Sequence, residues 1–169
     1  MKSYFKTALW NLAGVLFLVC LSFNLFAQTN FAGTWALNES KSNFGDSQFR
    51  RAASAMVVTQ DAKVLTVEST RQGRDGAETK TTAKYNLDGS VSENQARNST
   101  RKSTVSWSAD KTVMTISSTQ IMDMNGESRE MKSAESWKLA EGGKMLMIEN
   151  VRKNQQGEET KTTAAYDKK

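Results

Sequence analysis

The residues of this chain with the chemistry to hold a small molecule are Arg71, Arg101, Arg129, Glu135 and Arg152, which carry charge, and Ser118, Gln120, Met122 and Met131, which are short or adaptable. Each falls in a segment read with period 2, on the face that also carries the largest apolar residues of that segment. Long polar side chains rarely point into a fully packed interior, because an unpaired buried charge or donor is costly. As a set they imply contacts to a ligand. The arginines favour an anionic or strongly polar head, and methionine is adaptable lining for a variable partner.

Catalysis is not expected. Glu135 beside an inward arginine could in principle act as a general acid or base. No second carboxylate, nucleophile or metal-ligand set accompanies it. The chain contains no His at all. That excludes Ser-His and Cys-His nucleophile pairs, His general bases and His-ligated zinc or haem. No catalytic residue, metal or cofactor is therefore assigned.

The elements that position these residues are strands. In Phe31-Ala32-Gly33-Thr34-Trp35-Ala36-Leu37, one face carries Phe31, Gly33, Trp35 and Leu37. A Gly one pleat before a Trp leaves room for a close approach. From Ser54 on, short β-type segments are predicted at 54–60, 63–72, 77–87, 90–94, 99–108, 111–123, 126–139, 144–154 and 157–167. Asp88-Gly89 and Asn125-Gly126 are the strongest hairpin signals, since both turn residues tolerate positive φ. The absence of Pro suits a chain that is nearly all paired strand. The polar stretch 38–53, anchored only by Phe44 and Phe49, is expected to be a covering loop or lid.

The chain repeats itself. Leu65-Thr66-Val67-Glu68 returns as Leu146-Met147-Ile148-Glu149, and Thr79 to Tyr85 returns as Thr160 to Tyr166 with the same spacing. A weaker copy runs from Met114 to Trp137. Repeated antiparallel hairpins make a meander, and a ten-strand meander most easily removes its edges by closing. The predicted fold is all-β: a single up-and-down antiparallel barrel of about ten strands.

Successive strands of a meander run in opposite directions, so the apolar end of every strand falls at the same end of the barrel. One end is plugged by Trp35, Leu65, Tyr85, Leu87, Trp107, Trp137, Leu139 and Tyr166, and the other is lined by Ser, Thr, Gln, Arg and Glu. The 38–53 stretch leaves the first strand at the polar end. The opposite faces carry mid-strand charges such as Glu68, Lys80, Lys84, Lys132 and Lys138, which rules against the apolar outer band of a membrane barrel.

Residues 1–27 read as a secretory signal peptide. Lys2 and Lys6 form a positive start, an apolar run follows, and Ala27-Gln28 is the expected cleavage junction. The domain is then 28–169, a single-domain length. It lacks Cys, since Cys20 lies in the leader, which suits a bacterial periplasm or cell exterior better than a disulfide-dense secreted module. Without Lys2 and Lys6 the net charge falls from +5 to +3, too mild and dispersed to indicate nucleic acid. A monomer with no membrane span after cleavage is expected.

The stretch Phe31 to Leu37, a lid-like loop and a β-meander together resemble the calycins, that is, lipocalins and fatty-acid-binding proteins. Lipocalins share the Gly-x-Trp of Gly33 and Trp35, and fatty-acid-binding proteins share the ten-strand count. The resemblance is closest to small lipocalin-like proteins exported by bacteria. It implies a small hydrophobic or amphipathic ligand in the barrel interior. Fatty-acid-binding proteins grip a carboxylate with Arg-x-Tyr on the last strand. Here Tyr166 matches the Tyr but Ala164 stands at the Arg position, so that grip is absent. The alternative reading is a ligand-free interaction module of the cell envelope. N-terminal sequencing of protein purified from its native host is expected to begin after Ala27; a first residue of Met1 would overturn the leader assignment.

Overall fold

The computed structural model describes residues 27–45, 52–73, 76–96, 99–124, 126–153 and 159–169. The leader expected at 1–27 lies, but for Ala27, outside the described residues, and so does 46–51, the centre of the expected lid. The strands are β1 (Gly33–Asn43), β2 (Ala55–Gln60), β3 (Val64–Gln72), β4 (Glu78–Asn86), β5 (Ser92–Ala96), β6 (Ser99–Trp107), β7 (Val113–Met124), β8 (Glu127–Ala140), β9 (Met145–Lys153) and β10 (Glu159–Lys168). One turn of 3-10 helix, Glu141–Gly143, joins β8 to β9. The strands form one antiparallel sheet in the order β4-β3-β2-β1-β10-β9-β8-β7-β6-β5, curled into a nearly closed up-and-down barrel. The predicted fold class is observed, and most predicted strands begin and end within two residues of the observed ones.

The first and last strands meet in the β1–β10 ladder, where Trp35 faces Lys168 and Leu37 faces Tyr166. The remaining gap, between β4 and β5, has no backbone ladder. Side chains of β5 stitch it instead. The Asn94 amide accepts from the Lys84 N–H (2.7 Å) and donates to the Lys84 carbonyl (2.9 Å), and Ser92 Oγ accepts from the Asn86 N–H (2.7 Å). An amide side chain presents the same donor and acceptor as a peptide group, so it can stand in for one rung of sheet.

The floor forms as the sequence implies. Phe31, Trp35, Leu65, Met114 and Leu146 are fully buried, and Trp137 and Tyr166 nearly so. Phe31 lies just before β1 and works as a plug: its ring stacks on Trp107 (centroids 6.1 Å apart) and meets Trp137 edge-on (5.9 Å). Its carbonyl accepts from Trp35 Nε1 at 3.0 Å, and its N–H donates to Gln60 Oε1 at 2.9 Å. The room left by Gly33 is filled by Lys168. A Cβ at Gly33, whose φ is +154°, would stand 3.0 Å from Lys168 Cε, and Lys168 Nζ sits 5.4 Å from the Trp35 ring centroid, within cation–π range.

One expectation is corrected. Residues 38–43 are not loop but the continuation of β1. The ladder with β10 shifts register between Asn38 and Asn43. Asn38 organises the irregularity, its Oδ1 accepting from Ser40 Oγ (2.7 Å) and the Lys41 N–H (3.1 Å), while Ser42 Oγ replaces a ladder carbonyl by accepting from the Ala165 N–H (3.0 Å). Short polar side chains that bond the backbone locally let a strand continue through a bulge.

The outer face is wet, as expected: Glu68, Lys80, Lys84, Lys132 and Lys138 are exposed. No helix among the described residues is long and apolar enough to cross a membrane. Trp35→Ala is expected to lower stability by about 3–5 kcal/mol, the usual cost of deleting a buried aromatic; an unchanged urea midpoint would show that the floor does not depend on it.

Candidate functional site

Register turns the inward residues of β6 to β10 into rows at successive depths. Above a short row of Leu139, Leu146 and Tyr166, the first full row runs Trp107, Met114, Trp137, Ile148, Ala164. Above it come Val105, Ile116, Glu135, Asn150 and Thr162, then Ser103, Ser118, Ser133, Arg152 and Thr160. A short row of Arg101, Gln120 and Met131 follows, and Met122 facing Arg129 comes last.

Burial changes along these rows. On β8, which has a partner on both sides, Trp137 is 2 % exposed, whereas Glu135 and Ser133 on the same inward face are only half-buried. Asn150, Arg152 and Thr162 behave alike on β9 and β10. The packed floor therefore ends at the level of Glu135, and the inward side chains from there upward are only partly buried. Ile116 (1 %) and Ser103 (1 %) keep the β6–β7 wall closed at that level.

The polar side chains are linked in small groups. Asn150 Nδ2 donates to Glu135 Oε1 at 3.1 Å. The Ser103 and Ser118 hydroxyls are 2.8 Å apart. Arg101 Nη2 donates to Gln120 Oε1 at 3.3 Å, and Gln120 Nε2 is anchored on Ser99 Oγ (2.7 Å) and the Ala96 carbonyl (3.2 Å). Arg71 Nη1 donates to Thr81 Oγ1 at 3.4 Å. The indole N–H groups of Trp107 and Trp137 are buried and have no acceptor among the described residues.

Two tyrosines are buried at the floor, Tyr85 facing Leu65 and Tyr166 facing Leu146. Burial pushes the Tyr85 phenol up to about 12, helped by the charge of Glu135 and opposed by Arg101 and Arg71. Burial likewise pushes Tyr166 up to about 12, with Glu135 adding to the rise and Arg71 and the Ala53 backbone opposing it. Both hydroxyls thus stay neutral donors at ordinary pH.

The expected site residues separate by depth. The sequence reading puts Glu135 with the arginines at the polar end and Ser118, Gln120, Met122 and Met131 below them. The structure reverses much of this. Glu135 lies deepest of the set, in the second full row, with Ser118 one row above it and Gln120 two. Met122 and Arg129 sit on the part of the β7–β8 hairpin that overhangs the barrel, beyond the last β8–β9 pair at Ser133 and Arg152. Met131, 38 % exposed, is at the start of the overhang. Arg129 turns to Glu127 at the hairpin tip (2.9 Å). Arg71 is exposed, opposite Thr79. Alternation assigns a face but not a depth; depth depends on how far each hairpin outruns its neighbours.

Asn150, Thr162, Tyr85 and Tyr166 join the site although only their inward direction was legible. The repeat held a further signal. The β3–β4 and β9–β10 hairpins share one register, Leu65 with Tyr85 and Val67 with Ala83 matching Leu146 with Tyr166 and Ile148 with Ala164. In β7–β8, Met114 pairs with Trp137 and Ile116 with Glu135. Counted within its hairpin Glu135 corresponds to Ala83 and Ala164, but across the sheet it is level with Asn150 and Thr162, one row above Ala164.

Two concavities lie outside the barrel. One of about 510 Å³ runs across the outer faces of β6 to β9, among Val91, Lys102, Thr104, Thr119, Lys132 and Val151. A smaller one of about 260 Å³ crosses β2 to β4 near Val57, Glu68 and Lys80. No group of His, Cys, Asp and Glu side chains among the described residues is arranged to hold a metal ion. No family model matches the chain, and no curated protein matches it.

The tyrosines carry a pH expectation. Their folded pKa values lie above the ordinary value of 10.0, so the unfolded chain releases these protons first. Their contribution to stability is complete below pH 10 and is lost as pH rises towards about 12. Tyr85→Phe is expected to reduce that alkaline loss, and phenolate absorbance of the folded protein should appear later than in denatured protein; coincident titrations would show that the phenols are not held in the interior.

Proposed function

We propose that this chain is an exported, lipocalin-like binding protein of the calycin type, which holds a small amphipathic molecule in the barrel interior. One observation carries the reading: inward side chains of the central strands β8 and β9 stay half-buried above a sealed aromatic floor. A barrel filled only for stability would carry bulky apolar groups there, because voids and unpaired charges both cost stability. Ser118, Ser133 and Thr162 are too short to fill the space. The polar head of the ligand would meet Arg101 and Arg152 and its apolar part the floor below. The role is binding rather than catalysis, and export rests on the leader-like 1–27.

The alternative, a ligand-free interaction module, is favoured by one feature: the larger concavity lies on the outer face, beside exposed Val91. Native mass spectrometry of the purified protein separates the two readings. A co-purifying small molecule is expected, and its absence together with a filled interior would favour the interaction module. Arg101→Ala and Arg152→Ala are each expected to weaken ligand retention by about tenfold or more, with stability within about 0.5 kcal/mol of the parent. A fall in the urea midpoint with unchanged retention would make both arginines structural.

A further inference from the structure

Three inward charges of the interior are half-buried, Arg101, Glu135 and Arg152, and of these Arg101 and Glu135 do not pair with each other. Arg101 donates to the neutral Gln120, and no carboxylate of the described residues lies within ion-pair distance of it. Glu135 receives one hydrogen bond, from Asn150 to Oε1, and its Oε2 accepts none from the described residues. Exposed charges elsewhere on the barrel do pair, as Lys161 does with Glu149 (2.7 Å) and Lys102 with Glu93 (3.3 Å). A carboxylate and a guanidinium placed inside one barrel for structure would be brought together, since each is costly to desolvate alone. Here the register keeps them apart. Arg101 is level with Met131, and Glu135 is four residues further along β8, a separation of about 13 Å along the strand.

Glu135 is the one charged residue of its row, whose other members are Val105, Ile116, Asn150 and Thr162. Asn150 lies beside Glu135, and Arg152 stands one row nearer the mouth on the same neighbouring strand. The chamber is thus polarised, negative at its base and positive towards its mouth.

We propose that Glu135 is the specificity-determining residue of the chamber, and that the ligand is a dipolar amphiphile: a protonated amine leads and bonds Glu135, and an acid group trails at Arg101. This rests on the reading of the interior as a binding site. The distance between the two protein charges sets the span of the ligand, about 7–13 Å from amine to acid once strand tilt is allowed for. A simple carboxylate would leave Glu135 unpaired, and a simple amine would have to pass Arg101 with nothing to offer it.

The test compares octanoate, octylamine and ω-aminooctanoate by calorimetry and by amide chemical-shift changes on the full chain after leader removal. The expected result is that ω-aminooctanoate binds about ten- to hundredfold more tightly than either single-ended probe, the worth of one charge-assisted hydrogen bond. Glu135→Gln should reduce its affinity to that of octanoate while leaving octanoate unchanged or tighter. Glu135→Ala should do the same with no loss in urea midpoint. Arg101→Gln should reduce it to that of octylamine. If octanoate shifts the interior resonances but ω-aminooctanoate is no tighter, or Glu135→Gln changes nothing, the dipolar assignment is overturned and the binding reading stands. If none of the probes shifts interior resonances, both are overturned.

Discussion

The bond from the Trp35 indole to the Phe31 carbonyl fixes the point on which the barrel closes. It ties the segment before the first strand to that strand and delivers the Phe31 ring between Trp107 and Trp137, far away in sequence. Trp35 is in turn covered by Lys168 of the last strand, whose path over Gly33 is open because no side chain stands there. First strand, last strand and the middle of the sheet are thereby gathered on one aromatic layer. A barrel without disulfides depends on such a layer, since its stability comes from buried apolar area.

Above that layer the design changes. The sheet no longer needs side chains to fill it, because the ladders and the Asn94 and Ser92 stitch hold the wall from within the wall. The wall residues are free to be short and polar, and the charges among them need not neutralise one another. That freedom carries a cost, because unpaired half-buried charges lower stability. The strong floor offsets it, a division of labour familiar where binding chemistry is set on a rigid scaffold.

The internal repeat makes the same division visible along the chain. Two hairpins keep one register with the same kinds of residue at each depth, an aliphatic facing a tyrosine at the floor and an arginine facing a threonine near the mouth. The β7–β8 hairpin places Glu135 one row above Trp137, level with Asn150 and Thr162, and extends past its neighbours into an overhang. The scaffold is the repeated part, and the departures from it gather where the interior opens.

Much of this was legible in the residues. Side-chain alternation is a local property with period 2, so the inward faces of Leu65, Trp107, Trp137 and Tyr166 follow from spacing alone. Hairpin turns are local too, and with them the common polarity of the strands. The strand count and the soft, charged outer face follow in the same way. Tertiary structure decided what local rules do not contain. The depth of Glu135 below Gln120, the overhang that lifts Met122 and Arg129 off the barrel, and the continuation of β1 through 38–43 all depend on which residue of one strand is registered against which residue of the next. The separation of Arg101 from Glu135 is a further case, because two inward charges read as a possible pair until the register sets the distance between them. Closure at the β4–β5 gap belongs here as well: Asn94 and Ser92 look like ordinary polar strand residues, and only the curl of the sheet brings them to the open peptide groups of Lys84 and Asn86.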